Sequence, residues 1–289
     1  MTETYIRVKN KIQLQAAVNS EVADVLLLDF GCASVDIAAM KIEHPQTKFY
    51  LQLPDVLREK KAASVKKIAE KALSFDGIVI KTFDEIALVK EVLAEKSDVE
   101  DQDFDKWQII GDALLCAYNT EALAFYKSFF PGMKFILPDE LTDREIIQLI
   151  SSAKEKGIAD EQDFIYKVYG YQPLMITNQC LNRNYAGCEK PLMQFADEKK
   201  NQFYISSECG QCYDIVYNGQ PTVMLDKMEA ADAGFVIEGA TLNNILIDFT
   251  VETENEMDLV LGMIGNEQLP VSVPERFRLT RGHHYKGVE

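Results

Sequence analysis

The chain has 289 residues, enough for one large α/β barrel or two smaller domains, and its 47% hydrophobic and 26% charged content is ordinary for a globular protein. Its net charge is −16, from 30 Lys and Arg against 46 Asp and Glu, which argues against broad binding to a phosphate backbone. No apolar run approaches a membrane span and the start, M-T-E-T-Y-I-R-V, lacks the basic-then-apolar order of a secretory signal, so the expected location is cytoplasmic, with reduced cysteines.

Short aliphatic runs alternate along the chain with stretches of helical spacing. Tyr5–Val8 predicts a strand and Ile12–Val18 a helix. Val22–Phe30 is nearly continuous and apolar, the pattern of a strand buried on both faces. Lys48–Leu53 repeats the pattern, stops at Pro54 and precedes a helix from Asp55 to Phe75. Gly77–Thr82 is the fourth strand, followed by the helix Phe83–Lys96. The acidic stretch Ser97–Asp105 is too charged to pack and reads as a surface loop.

Trp107–Asp112 is the fifth strand, and Asn119 is placed to cap a helix over Thr120–Phe130. Met133–Leu137 is the sixth strand. Thr142 and Glu145 have the spacing of a capping box for a helix that runs to Lys156 and stops at Gly157. Asp163–Tyr169 is the seventh strand, and Asn244–Phe249 supplies an eighth, followed by the helix Glu254–Ile264. This rhythm predicts a (β/α)8 TIM-like barrel with a cysteine-rich β insertion after strand seven; an open doubly wound sheet is the alternative. The expected organisation is residues 1–178 for the first seven units, 179–232 for the insertion, and 233–289 for the closing strand, last helix and a basic tail around Arg276, Arg278 and Arg281. Within the insertion, Phe203–Ser206 and Tyr213–Tyr217 read as a hairpin, with Asn218-Gly219 closing its second strand.

Four of the six cysteines, Cys180, Cys188, Cys209 and Cys212, fall in that insertion as C-x7-C-x20-C-x2-C. Thiolates are soft ligands, and the C-x-x-C step lets two sulfurs from one turn reach one metal, with Gly210 easing the turn. The spacing suits an iron–sulfur cluster or zinc and does not separate them. Cys32 and Cys116 follow strands two and five and read as small core residues or as groups lining the mouth.

The same window, Y-G-Y-Q-P-L-M-I-T-N-Q-C over 169–180, resembles the signature region of the collagenase-like peptidase family, peptidase U32. F-Y-I-S-S-E-C-G-Q-C over 203–212, D-F-T-V-E over 248–252 and G-H-H-Y-K-G-V-E at the end resemble further blocks of that family. The family name implies peptide hydrolysis. Its better-understood members imply oxygen-independent hydroxylation of RNA bases or of small aromatic quinone precursors, with four cysteines holding a [4Fe–4S] cluster. The chain departs from the pattern at Tyr171, Leu246 and Asp197-Glu198, where the family places basic residues, so the resemblance implies the cluster more directly than an anionic substrate.

In barrels of this kind catalytic groups sit at the C-terminal ends of strands. Those ends read as Asp29, Pro54, Lys81, Asp112, Glu140 and Tyr169, of which Asp112, Glu140 and Tyr169 are the expected pocket residues. No serine-hydrolase elbow, H-E-x-x-H or nucleotide-binding glycine motif occurs, so a literal protease mechanism is hard to build. The expected function is a cluster-bearing enzyme acting on RNA or a small aromatic molecule; peptide hydrolysis and a non-catalytic, metal-stapled partner subunit or homo-oligomer are the alternatives.

Overall fold

Strands form where apolar residues run without interruption, because a barrel strand is buried on one face by the lumen and on the other by helices. The computed structural model describes residues 3–29, 32, 34–54, 62–97, 108–177, 192–196, 202–207, 214–223, 235–237 and 240–263. In chain order β1 (Glu3–Val8), β2 (Val25–Leu28), β3 (Lys48–Gln52), β4 (Gly77–Ile80), β5 (Gln108–Gly111), β6 (Lys134–Ile136) and β7 (Phe164–Thr177) each pair in parallel with the next. Strands β8 (Leu192–Ala196), β9 (Gln202–Ser207), β10 (Asp214–Val223), β11 (Phe235–Ile237) and β12 (Ala240–Leu242) intervene before β13 (Asn244–Asp248). β13 pairs in parallel with β7 on one side and with β1 on the other, in the register Glu3↔Asn244 to Arg7↔Asp248. The result is the closed parallel barrel of eight strands that the sequence predicts.

Helices α1 (Lys11–Asn19), α2 (Ile37–Glu43), α3 (Ala62–Ala72), α4 (Phe83–Ser97), α5 (Thr120–Phe129), α6 (Asp143–Glu155) and α7 (Glu254–Leu261) run between and after the strands. Asn119 caps α5, its side chain accepting from the Ala122 N–H at 2.8 Å. Thr142 and Glu145 form the capping box of α6. The short helix α2 carries no clear periodicity: only Ile37 is buried, and its start is fixed locally by Asp36 accepting from Ala39 N–H at 3.2 Å. The expected start of α3 at Asp55, the acidic loop after Ser97 and the basic tail lie outside the described residues.

Strand alternation divides the core into two layers. Ile6, Leu26, Leu28, Phe49, Leu51 and Ile78 face the helices, while Tyr5, Leu27, Tyr50, Val79, Ile110 and Leu246 fill the lumen. The seventh strand is much longer than expected. Past Gly170 it leaves the barrel and continues to Thr177 as one strand of an antiparallel ribbon, β7-β10-β9-β8. The hairpin expected over 203–217 is there, with Phe203↔Asn218 and Ser206↔Ile215. Asn218-Gly219 does not end its second strand, which runs on to Val223 through an irregularity opposite Pro173. Pro173 and Pro221 have no N–H to give the ladder, so the strand bulges there and resumes beyond.

Candidate functional site

The lumen parity that places apolar residues in the barrel also places charges at its C-terminal end. Two positions after a lumen-facing apolar residue the chain carries Arg7 after Tyr5, Asp29 after Leu27, Gln52 after Tyr50, Lys81 after Val79, Asp112 after Ile110, Lys167 after Ile165, and Asp248 after Leu246. In a strand residues i and i+2 share a face, so these side chains form the uppermost lumen layer. Of these, Arg7, Lys81, Asp112, Lys167 and Asp248 line a cleft of about 540 Å³, counting its part open to solvent, together with Lys9 beyond β1 and Asp139 beyond β6. Ile136 and Leu246 contribute apolar surface from the barrel, and Pro173 and Ile176 contribute it from the ribbon.

The charges are matched one to another. Arg7 donates from Nη1 to Asp248 Oδ2 at 3.0 Å and from Nη2 to Asp112, so its guanidinium bridges β5 and β13. Lys9 donates to Asp29 Oδ2 at 2.9 Å, and Lys167 pairs with Asp139. Paired ions at this depth are tolerated because each charge has a partner; removing one partner leaves the other uncompensated. Gly170 is required beside them. Its φ is +155°, and a Cβ there would stand 2.8 Å from the Cβ of Asp248.

Of the three expected pocket residues, the structure puts Asp112 at the mouth. Besides meeting Arg7, its Oδ1 accepts from Leu114 N–H at 3.1 Å and caps the 3-10 turn Ala113–Leu115. Glu140 is exposed and does not line the cleft; the preceding Asp139 does. Tyr169 does not line it either. Its ring is buried in the helix-facing layer near Phe249, with centroids 5.7 Å apart, and its OH donates to Glu252 Oε1 at 2.8 Å. The cause is a register shift between Leu246 and Ile247 on β13, opposite Lys167 and Tyr169, which breaks the alternation so that Val168 and Tyr169 both face outward.

Glu252 is fully buried in the loop after β13. Burial pushes its carboxyl up to about 7, although the Thr250 and Val251 N–H groups and Tyr169 all donate to it. Lys81 is buried and lines the cleft as expected, whereas Asp29, paired with the lining Lys9, and Pro54 are buried without lining it themselves. Cys32 is a buried core residue whose thiol is pushed up to about 12, first by burial and then by the charge of Asp29. Cys116 is exposed and left-handed at φ 54°, so it is neither a core residue nor part of the cleft lining.

Arg7, Lys9, Asp139, Lys167 and Asp248 escape a reading that takes only the last residue of each strand. Counting by twos from an apolar lumen residue finds Arg7, Lys167 and Asp248 directly.

Cys180, Cys188, Cys209 and Cys212 lie outside the described residues. Among the described residues, no group of three or more His, Cys, Asp or Glu side chains could hold a metal ion. The strand ends flanking the four cysteines in sequence are described, and they share one end of the ribbon. Thr177 pairs with Asp214, Asp214 with Ser207, and the neighbouring Ser206 with Leu192. Ile176, next to Thr177, lines the cleft. No described helix is long and apolar enough to cross a membrane. No protein-family model matches the chain, and no curated protein matches it either.

Proposed function

We propose that the chain is a barrel enzyme whose substrate enters the C-terminal mouth, beside a sulfur-ligated metal group held by Cys180, Cys188, Cys209 and Cys212. The observation that carries this reading is the ribbon register. The segments bearing the four cysteines all leave from the row Thr177, Asp214, Ser207 and Leu192, one residue beyond the cleft-lining Ile176. Adjacent strands are about 4.8 Å apart, so this row brings the ends of both cysteine-bearing segments close to one another.

A donor set of four thiolates fits an iron–sulfur cluster and fits zinc. The resemblance to peptidase U32 favours a [4Fe–4S] cluster and oxygen-independent hydroxylation of RNA or a small aromatic molecule. A bound cluster supplies one-electron chemistry that side chains lack. The chain's own residues supply the mouth: Ile136, Leu246, Pro173 and Ile176 keep water from part of the substrate surface, and the Asp112–Arg7–Asp248 bridge fixes the polar side. Asp112 acts here as a positioning residue, through Arg7.

A second reading, the metal-stapled partner subunit, draws on one observation: Asp112 already serves a cap and an ion pair, and Glu140 is exposed. Peptide hydrolysis has less support, since the described cleft lining contains no serine, cysteine or histidine. Anaerobic purification with iron, sulfide and zinc analysis separates the readings. The enzyme reading expects iron and sulfide with visible absorption, lost on replacing any one of the four cysteines with Ala and kept in Cys32→Ala and Cys116→Ala. Colourless zinc protein favours the staple, and metal-free peptide cleavage favours the hydrolase.

A further inference from the structure

The chain as a whole carries −16, yet the lining of its cleft does not share that sign. Four cations, Arg7, Lys9, Lys81 and Lys167, line it against three carboxylates, Asp112, Asp139 and Asp248. Arg7 and Lys167 pair with carboxylates that line the cleft beside them, so each of those pairs shows a ligand both signs of charge. Lys9 is different. Its partner Asp29 is buried and does not line the cleft, whereas Lys9 lines it and keeps 13% of its side-chain surface exposed. The carboxylate thus stands behind the ammonium, and a ligand meets the cation first. An ammonium has three N–H groups, so the bond to Asp29 at 2.9 Å does not by itself exhaust it. Lys11 follows at the start of α1, whose first turn carries no acidic residue, so that helix end adds to the positive side. The screening length at physiological salt is about 8 Å, so the acidic remainder of the surface does little against a cation inside the cleft.

We infer that Lys9 anchors the carboxylate of a small ligand whose body is apolar, with Asp29 holding the ammonium in place from behind. A surplus of one positive charge in the lining matches a singly charged group, whereas the three lining carboxylates oppose a phosphate monoester or a polyanionic strand. Ile136, Leu246, Pro173 and Ile176, in the same cleft, suit the apolar body. The mouth thereby takes from the end of β1 a basic group that Tyr171 and Leu246 do not supply. The inference deepens the proposed function by naming the substrate class, and it rests on the mouth being the binding site.

The test is ligand-observed and methyl NMR on the full chain with two matched pairs, benzoate against benzamide and phenylacetate against phenylacetamide. Metal content is not read, so failure of the cluster reading leaves this test intact. In the wild type the carboxylate of each pair should bind about tenfold more tightly than its amide and shift the methyl signals of Ile176 and Leu246. Added salt should weaken the carboxylate and leave the amide unchanged. Lys9→Met should remove the preference. Asp29→Asn takes away the negative charge behind the ammonium and should tighten the carboxylate by about threefold, a gain that loss of structure does not produce. Both members of a pair shifting those methyls with equal affinity would overturn this inference and leave the mouth as the binding site. Neither member shifting them at millimolar concentration would overturn both. Displacement of benzoate by micromolar single-stranded RNA would reassign the cation to a phosphate backbone and overturn the carboxylate class. The wild-type comparison decides the matter alone should a variant not fold.

Discussion

The two ends of the barrel use the same strand for opposite purposes. Glu3, Tyr5, Arg7 and Lys9 alternate along the start of the chain, and they carry it from the bottom of the lumen to the rim of the mouth. At the bottom Glu3 gathers donors into one closed knot. It accepts from Tyr5 OH at 2.8 Å, from Lys134 Nζ at 2.9 Å and from the exposed Lys48 Nζ at 3.0 Å, and Lys134 also lies over the Tyr5 ring. At the top Arg7 reaches across to two strands and leaves a cleft among charged side chains. The difference teaches that an ion pair at the bottom fastens strands, whereas the pairs at the top form the polar wall of a cleft. In parallel barrels the C-terminal face is the working end and the opposite face serves stability.

The sharpest way to break this contrast is at Arg7. Arg7→Met leaves Asp112 and Asp248 buried without their cation, and it should cost about 3–5 kcal/mol in chemical denaturation. A loss below about 1 kcal/mol would mean the bridge holds nothing together.

The next effect is read through pH. Glu252 has its folded value raised from 4.5 to about 7 by burial, so the folded state favours the protonated carboxyl. Its stabilising contribution is complete below about pH 4.5 and is lost as pH rises to 7. Over that window the wild type should lose on the order of 3 kcal/mol relative to Glu252→Gln, which keeps the Tyr169 contact without titrating. Glu3 has the opposite sign. Burial raises its carboxyl, but the hydrogen bonds from Lys134, Tyr5 and Lys48 outweigh this and hold it down to about 2. Its contribution is present above about pH 4.5 and lost toward 2, so Glu3→Gln should flatten only the acid limb of a stability–pH curve. Identical curves for the two variants would defeat the contrast.

Gly170→Ala should cost about 1–3 kcal/mol, because a methyl in that conformation meets the Cβ of Asp248 at 2.8 Å. The smallest effect belongs to Lys48→Met at the exposed edge of the bottom knot, expected below about 1 kcal/mol in thermal melts.

Much of the barrel was legible in the chain, since eight apolar strands, most of them followed by a helical stretch, admit few other folds. Capping at Asn119 and at Thr142 with Glu145 was legible too, because those spacings act locally. Helix α2 was not, as it carries one buried residue and little amphipathic pattern. Tyr169 was placed at the mouth by counting strand ends, and only the register shift on β13, a tertiary event, turns it outward. Glu140 and Asp139 are neighbours, and sequence alone does not say which of two adjacent carboxylates faces in. The seventh strand was expected to end at Tyr169, yet it runs on to Thr177, and the ribbon accommodates the N–H that Pro173 lacks with a bulge. Lys81 was legible as a strand end, but Arg7, Lys9 and Lys167 were not, because the barrel assembles its mouth from positions that are not the last of their strands.

The central claim is that the cysteine-bearing end of the ribbon adjoins the mouth and not the bottom of the barrel. The most direct measurement is the reduction potential of the proposed iron–sulfur group in anaerobically prepared Ile176→Lys and Lys48→Met proteins beside the wild type. A cation placed in the cleft wall next to Thr177 stabilises added electron density nearby, so Ile176→Lys should raise the potential while Lys48→Met leaves it at the wild-type value. An unchanged potential in Ile176→Lys, or a chain that takes up no iron at all, would contradict the account.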